Sequence, residues 1–296
     1  MALDRRSTRR DVLRMSGASL AAIPLAALLA ACAGESSGDD ESATTDVAMG
    51  TWDLVSRWIP TELTPGEQRL PVSLAGADGL VDTGPTRLIA DLVDLDTDEV
   101  LARDLFADRR TLGDDTIPFW VFRTVIDRVG TFALVVKGGP EEGAAFQTFE
   151  PDSLVVARVG QQLPPFDTPT FDDPRGVDEV CTRTPEPCPF HSMTLTDALS
   201  IGKPVVYLVG TPAHCQTGVC GPVLDQLVPL AEELGDSVVF VHADVYADRA
   251  ATVVAPAVEA AMLTFEPVLF VTDAQGVIVE RLDAIWDVNE VREALS

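Results

Sequence analysis

The chain has 296 residues, of which 46% are hydrophobic, 47 are Asp or Glu and 21 are Lys or Arg. This apolar fraction can form the cores of about two domains, so the composition excludes wholesale disorder. The net charge of −26 excludes a nucleic-acid partner, because phosphate binding needs a basic surface. The five cysteines are an odd number, which indicates that one of them has a separate role.

Residues 1–31 have the composition of an export signal: five arginines precede an uncharged run of 17 residues. Residues 7–14 resemble the twin-arginine signature, and the Leu-Ala-Ala-Cys sequence at 29–32 is similar to a bacterial lipobox. The resemblance implies that Cys32 is lipidated and that the protein is anchored at the extracytoplasmic face of the cell membrane. An uncleaved membrane anchor is the alternative, although the uncharged run is short for a span.

Residues 32–48 are small, polar and acidic, which predicts a flexible tether. Residues 49–160 then contain short β-type runs separated by turns rich in Gly, Pro and Asp. The clearest runs are 69–74, 86–93, 119–126, 131–137 and 154–159. This spacing predicts an antiparallel β-sandwich. The pattern is similar to immunoglobulin-like modules fused to exported bacterial redox proteins.

Residues 161–180 are rich in proline and are predicted to be a linker. Residues 181–296 begin with a Cys-rich arm at 181–192 and then alternate between buried strand patterns and helical periodicity. Strands are predicted at 204–210, 237–241, 267–272 and 277–282, and helices at 221–234, 247–262 and 288–295. This alternation predicts an α/β domain.

Three features of residues 193–296 resemble the thioredoxin family. A cysteine pair follows the first long buried strand and opens a helix, a Pro-Val-Leu-Asp run continues that helix, and Glu266–Pro267 precedes an apolar strand. The resemblance implies that the peptide bond before Pro267 is cis and that Pro267 faces the cysteines. The expected fold is therefore an α/β thioredoxin-like C-terminal domain after an all-β sandwich N-terminal domain. The C-x4-C-G-P-V motif is also similar to an actinobacterial-type group of exported thioredoxin-like proteins.

The five-residue step from Cys215 to Cys220 departs from the C-x-x-C of that family. Within one helix this step rises about 7.5 Å, which exceeds the roughly 4.4–6.8 Å that separates the Cα atoms of a disulfide. Cys215 therefore lies on a loop before the helix, or the pair is not bridged. Pro212 and Gly218 favour the loop, and we expect a bridge that can open.

The predicted catalytic residues of thiol–disulfide exchange are Cys215, Cys220, Pro267 and His214. In this hypothesis Cys215 is the attacking thiolate and Cys220 the resolving thiol, because a helix N-terminus and His214 lower the pKa of Cys215. The partners are thiols and disulfides of extracytoplasmic proteins. An inert structural disulfide is the alternative, since Glu266 would raise the pKa of Cys215 and the preceding strand lacks a buried acid.

Cys181 and Cys188 form a second pair, which in an exported protein predicts a structural disulfide. This interpretation needs no cofactor. The alternative is copper: Cys188 and His191 would bind a metal together with Cys215 or Cys220. Thiolates and imidazole suit Cu(I) or Zn²⁺.

The copper alternative resembles the Sco-type copper-delivery lipoproteins, which use a C-x3-C pair and a distant histidine. His191, His214 and His242 are the candidates, although His242 ends a buried strand and also has a purely structural interpretation. A thiol peroxidase is a further hypothesis, because the segment from Thr211 resembles the site of bacterioferritin-comigratory peroxiredoxins, with the Thr one residue too far from Cys215. The last hypothesis is a binding protein without enzymatic activity, in which the disulfide is purely structural.

Overall fold

The computed structural model describes residues 52–113 and 117–296. The predicted export signal, the lipidation site Cys32 and the acidic tether lie outside these residues. Among the residues that are described, no helix combines the length and the apolar character needed to cross a bilayer. The described residues all belong to one compact unit, and the boundaries expected near residues 160 and 180 stay predictions.

Eight antiparallel strands of the first half form one sheet, with the order β1-β2-β6-β5-β4-β7-β8 and β3 paired to β2. Along β4, side chains alternate between solvent and the interior, as expected for a sheet with one buried face. The strands are β1 (Asp53–Ser56), β2 (Gly66–Gly76), β3 (Gly79–Leu80), β4 (Arg87–Asp94), β5 (Glu99–Leu112), β6 (Ile117–Ile126), β7 (Gly130–Val136) and β8 (Ala144–Thr148).

The 14-residue strand β5 gives this sheet its form. Residues 99–108 of β5 pair with β4, and residues 109–112 pair with β6. One strand therefore joins what would otherwise be two facing sheets, and the result is a nearly closed, barrel-like sheet. The predicted immunoglobulin-like sandwich is wrong for this reason. The run at 154–159 is not a strand either, whereas four of the five predicted β runs are.

A second sheet of four strands has the order β10-β9-β11-β12. The pair β9/β10 is parallel, and the pairs β9/β11 and β11/β12 are antiparallel. Its strands are β9 (Val205–Val209), β10 (Val239–Ala243), β11 (Val268–Thr272) and β12 (Ile278–Asp283). The helices are α1 (Leu195–Ser200), α2 (Cys220–Leu234), α3 (Pro256–Ala260) and α4 (Val288–Ala294), with short 3-10 turns at Pro151–Ser153 and Gly235–Ser237.

Helix is scarce in the second half, and this overturns the predicted fold class. The helix expected at 247–262 shrinks to the five residues of α3. The Asp248 carboxylate accepts hydrogen bonds from the amides of Thr252 and Val253, and Ala251 has a φ of +54°, so this stretch is a side-chain-stabilised turn. The structure is mostly β, with 36% strand and 16% helix. The predicted α/β thioredoxin-like domain is therefore wrong.

An apolar cluster joins the barrel-like sheet to the helices of the second half. Leu112 of β5 and Phe119 of β6 are buried with Val223 and Leu227 of α2 and with Trp286. Burial of these apolar side chains stabilises the contact between the barrel-like sheet and the second half of the chain. Helix α2, which begins at Cys220, is therefore held against the barrel-like sheet.

Two ion pairs, one of them buried, reinforce the same contact. The Arg69 guanidinium of β2 donates to both carboxylate oxygens of Glu290 in α4, at 2.8 and 2.7 Å, and also to the carbonyl of Ile285 at 2.6 Å. Arg110 of β5 pairs with Asp287 at 2.9 Å. Bidentate pairing fixes the orientation of both partners, so α4 has one defined position on β2.

Candidate functional sites

The disulfide site follows the fully buried strand β9. Cys215 lies on a turn in which the Gly218 amide donates to the Cys215 carbonyl at 3.2 Å, and Gly218 has a φ of +69° that favours glycine. Cys220 is the first residue of α2. The two cysteines are disulfide-bonded with their Cα atoms 5.9 Å apart. The expected loop position of Cys215 and the bridge to Cys220 are confirmed.

The two sulfurs have different surroundings. Cys215 is half-buried, whereas Cys220 is only 1% exposed, so the pair is accessible to solvent only at Cys215. The Cys215 sulfur lies 3.2 Å from the Thr217 hydroxyl and 3.3 Å from the Cys220 amide, which donates to it. Hydroxyl and helix-N-terminal N–H donors stabilise negative charge on sulfur. Cys215 is therefore the side chain suited to the thiolate form.

Glu266 lies on the inner side of the disulfide. Its carboxylate accepts a hydrogen bond from the Thr211 amide at 2.6 Å and lies 3.5 Å from the Cys220 sulfur. Burial raises the pKa of Glu266 to about 7, although the Thr211 amide opposes the shift. The carboxyl group was expected beside Cys215. Its actual neighbour among the two sulfurs is Cys220.

The Glu266–Pro267 peptide bond is cis, as expected. Pro267 packs against the backbone at Gly210, where an added Cβ would lie 3.2 Å from the proline Cβ. Only glycine allows this close approach without a shift of the neighbour. His214, by contrast, turns its ring edge-on to Tyr246 at 5.8 Å between centroids, and no hydrogen bond links it to Cys215 within the described chain.

A groove of about 360 Å³ opens beside the half-buried cysteine. Gln216 and Thr217 from the cysteine turn, together with Glu266, form its polar end. The remaining wall is mostly apolar and is lined by Val245, Tyr246, Val254, Val258, Leu263 and Phe265. The groove therefore places a mostly apolar surface next to the cysteine turn.

Four buried side chains form a second site, the Cys₂His₂ cluster, made of Cys181, Cys188, His191 and His242. One ligand atom from each lies within 4.8 Å of all the others. The Nδ1 atom of His242 lies 3.0 Å from Nε2 of His191, 3.4 Å from the Cys188 sulfur and 3.9 Å from the Cys181 sulfur. This cluster could hold a metal ion.

Local hydrogen bonds position the cluster. The Nε2–H group of His242 donates to the Gly210 carbonyl at 2.8 Å, which leaves Nδ1 to face the cysteines. The arm is tied to the end of β10 by Thr182, whose amide and hydroxyl donate to the Asp244 carboxylate at 2.7 and 2.9 Å. A hydrogen bond from Cys188, opposed by burial and aided by the two imidazoles, lowers the pKa of the Cys181 thiol.

The structural disulfide predicted for Cys181 and Cys188 is not formed, and both are free buried cysteines. The metal alternative is confirmed in part, because Cys188 and His191 do meet in the cluster. Cys215 and Cys220 do not join them: these two are bonded to each other, and the His191 ring packs on His242 at 4.9 Å. The sequence offers His242 both as a metal ligand and as a purely structural residue at the end of a strand. The choice depends on the packing of the Cys-rich arm against the end of β10, which the sequence does not show.

Comparison with protein-family models and with curated proteins finds no match for this chain.

Proposed function

We propose that the protein carries out thiol–disulfide exchange through Cys215 and Cys220. One observation carries this: the disulfide is asymmetric, with a half-buried sulfur on a turn and a buried sulfur against a carboxyl group. Reactive disulfides need one accessible sulfur and a means of handling the proton of the other. The apolar groove beside Cys215 supports a polypeptide partner, and the extracytoplasmic setting is part of the proposal.

Starting from the disulfide, a partner thiolate attacks the Cys215 sulfur. The partner–Cys215 bond forms, the Cys215–Cys220 bond breaks, and Cys220 leaves as a thiolate that takes up a proton. A second thiolate of the partner then attacks its own sulfur in the mixed disulfide and displaces Cys215. The partner loses two electrons and the cysteine pair gains them. The reverse sequence reduces a partner disulfide, with Cys215 as nucleophile and Cys220 as resolving thiol.

Glu266 is the proton donor and acceptor for Cys220 in this scheme. Its carboxyl group lies 3.5 Å from the Cys220 sulfur, and its pKa of about 7 keeps both protonation states populated near neutral pH. A group with a pKa close to the working pH is the most effective general acid and base. Pro267 and Gly210 act as positioning residues that fix Glu266 and the cysteine turn.

The other expected functions receive less support from the geometry. Copper binding by Cys215, Cys220 and His191 would need His191 of the Cys₂His₂ cluster to join two cysteines that are bonded to each other in the other site. For the peroxidase hypothesis, Thr211 is buried and its hydroxyl faces Thr182 at 3.3 Å, so it does not face the Cys215 sulfur.

The test is capture of a mixed disulfide. Cys220→Ser removes the resolving thiol, so we expect a stable adduct between Cys215 and a cysteine-containing polypeptide, released by dithiothreitol. Cys215→Ser is the matched control and should form no adduct, because the buried Cys220 is out of reach. The proposal is overturned if Cys220→Ser forms no adduct and the native pair has a reduction potential below about −300 mV, the range of structural disulfides.

A further inference from the structure

We propose that Cys181, Cys188, His191 and His242 form a closed, four-coordinate Zn²⁺ site. The site is separate from the disulfide and does not depend on the exchange function. All four side chains are buried, and they converge on one point from two places in the chain, the Cys-rich arm and the end of β10. Two thiolates and two imidazoles with no open position are the ligand set of a structural zinc site.

The ligand atoms already face one another. Two ring nitrogens, Nδ1 of His242 and Nε2 of His191, lie 3.0 Å apart, and two sulfurs flank them. A metal ion at this point would bind all four atoms at once, whereas protons alone can link them only in pairs. The cost of burying four polar groups is then offset by coordination.

The tautomer of His242 is set for a metal. Because Nε2–H donates to the Gly210 carbonyl at 2.8 Å, the lone pair on Nδ1 points into the cluster. A hydrogen bond from the outer ring nitrogen to a backbone carbonyl is the usual support of a metal-binding histidine. This feature comes from the backbone at Gly210 and is independent of the cysteines.

Charge selects Zn²⁺ over Cu⁺. Two thiolates and a divalent ion sum to zero, which is the least costly total for a site that is fully buried. With Cu⁺ the same ligands would carry a net negative charge within a few residues of the buried Asp244, which is itself tied to Thr182. Binding Zn²⁺ releases the thiol protons to solvent, and no electron is transferred.

The experiment uses the full chain, purified without added metal and then given Zn²⁺ in the presence of a competing chelator. We expect about one bound zinc per chain by elemental analysis. Substitution with Co²⁺ should give the visible absorption of a tetrahedral thiolate site. The Cys181→Ser/Cys188→Ser double variant and the His242→Gln variant should bind zinc at least about tenfold more weakly.

Matched controls separate this site from the disulfide. The Cys215→Ser/Cys220→Ser double variant removes the same number of sulfurs, and His214→Gln removes a histidine outside the cluster. Both should keep one zinc per chain and the cobalt spectrum. Loss of zinc in these controls would contradict the assignment, as would zinc binding that survives in the Cys181/Cys188 variant.

A measurement on the native protein covers the case in which the cluster variants do not fold. Titration with a mercurial reagent should release the zinc as two thiols are modified, with a metal-sensitive dye as the readout. The proposal is overturned if two results are found together. Peptide mapping of the metal-free protein shows a Cys181–Cys188 disulfide, and this protein does not take up zinc. Selective binding of Cu⁺ that Zn²⁺ cannot displace would overturn the choice of metal.

Discussion

Glu266 differs from most of the acidic side chains of this protein because its carboxyl group lies against a sulfur and a backbone amide. With a pKa of about 7, raised by burial, it changes charge near neutral pH, which is the range that the proposed exchange needs. The consequences can be measured separately for reactivity and for stability.

Glu266→Gln should slow the reaction of the Cys215–Cys220 disulfide with a small thiol by about tenfold or more near neutral pH, because Cys220 loses its proton donor. The rate is followed from pH 5.5 to 8.5, and the contribution that titrates with Glu266 should disappear. The exposed Glu259→Gln is the matched control and should behave as the native protein. An unchanged pH profile in Glu266→Gln would show that Glu266 does not handle the proton.

The raised pKa of Glu266 also makes stability depend on pH. Between the ordinary value of 4.5 and about 7, the folded protein binds more protons at this site than the unfolded chain. Its contribution is therefore fully present below pH 4.5 and is lost as the pH rises through 7. Urea unfolding at several pH values should show this decline in the native protein and a smaller one in Glu266→Gln. Equal slopes in the two proteins would contradict the assignment.

Gly210→Ala tests the close approach of Pro267. The new Cβ would lie 3.2 Å from the proline Cβ, so we expect a loss of about 1–3 kcal/mol in unfolding free energy, measured in urea. Gly221→Ala is the control. Residue 221 lies in helix α2, and an added Cβ there has one neighbour, Pro212 at 4.0 Å. It should be neutral or slightly stabilising because alanine favours helix. A destabilised Gly221→Ala with an unaffected Gly210→Ala would refute this packing argument.

At the scale of elements, the position of α4 depends on a buried ion pair with β2. Burial alone would raise the pKa of Glu290, but Arg69, Arg110 and Arg123 outweigh it, so the pKa of Glu290 lies below its ordinary range. The pair is almost inaccessible, with side chains 9% and 0% exposed. Its stabilisation is present above the ordinary pKa and is lost as the pH falls through the lowered one.

Glu290→Gln should destabilise the fold by about 3–5 kcal/mol, because the buried Arg69 guanidinium loses its bidentate ion-pair partner. The measurement is the free energy of unfolding in urea at neutral pH. Asp108→Asn breaks the exposed pair with Arg87, at 2.6 Å, and should leave the unfolding midpoint nearly unchanged. Similar effects of the two substitutions would mean that burial does not set the strength of the Arg69 pair.

Local patterns predicted most elements of the second half. Strands expected at 204–210, 267–272 and 277–282 and the helix expected at 221–234 coincide with β9, β11, β12 and α2 within one or two residues. Strong periodicity over a short window is local information. The predicted helix at 247–262 is wrong over most of its length. Its alanines favour helix, but the Asp248 side chain accepts backbone hydrogen bonds that stabilise a turn there.

At the scale of the whole molecule, the two candidate sites share the backbone around Gly210. His242 binds the Gly210 carbonyl, and Thr182 of the Cys-rich arm accepts a hydrogen bond from the Ala213 amide at 3.2 Å, two residues before Cys215. Order in the Cys₂His₂ cluster therefore affects the position of the loop that carries Cys215. A ligand that binds only the folded state stabilises it in proportion to the logarithm of its concentration over Kd.

Removal of zinc should accordingly lower the thermal midpoint, and zinc at about 100 times Kd should restore about 2.7 kcal/mol of stability. Thermal unfolding with a chelator and with added zinc is the measurement. The Cys181→Ser/Cys188→Ser variant should not respond to zinc, whereas the Cys215→Ser/Cys220→Ser variant should respond as the native protein does. A midpoint that is the same with and without zinc in the native protein would contradict the structural role of the ion.

The sequence by itself predicted the features that depend on residues close together along the chain. Net charge argues against a nucleic-acid partner, and the length of a five-residue helical step, together with Pro212 and Gly218, favoured a loop position for Cys215 before α2. The curling of the first sheet into a nearly closed barrel and the assembly of the Cys₂His₂ cluster were decided only by tertiary structure. His242 meets its cluster partners across 51 to 61 residues of chain. Contacts over such separations depend on how strands pair and pack, and a local pattern carries no record of that pairing.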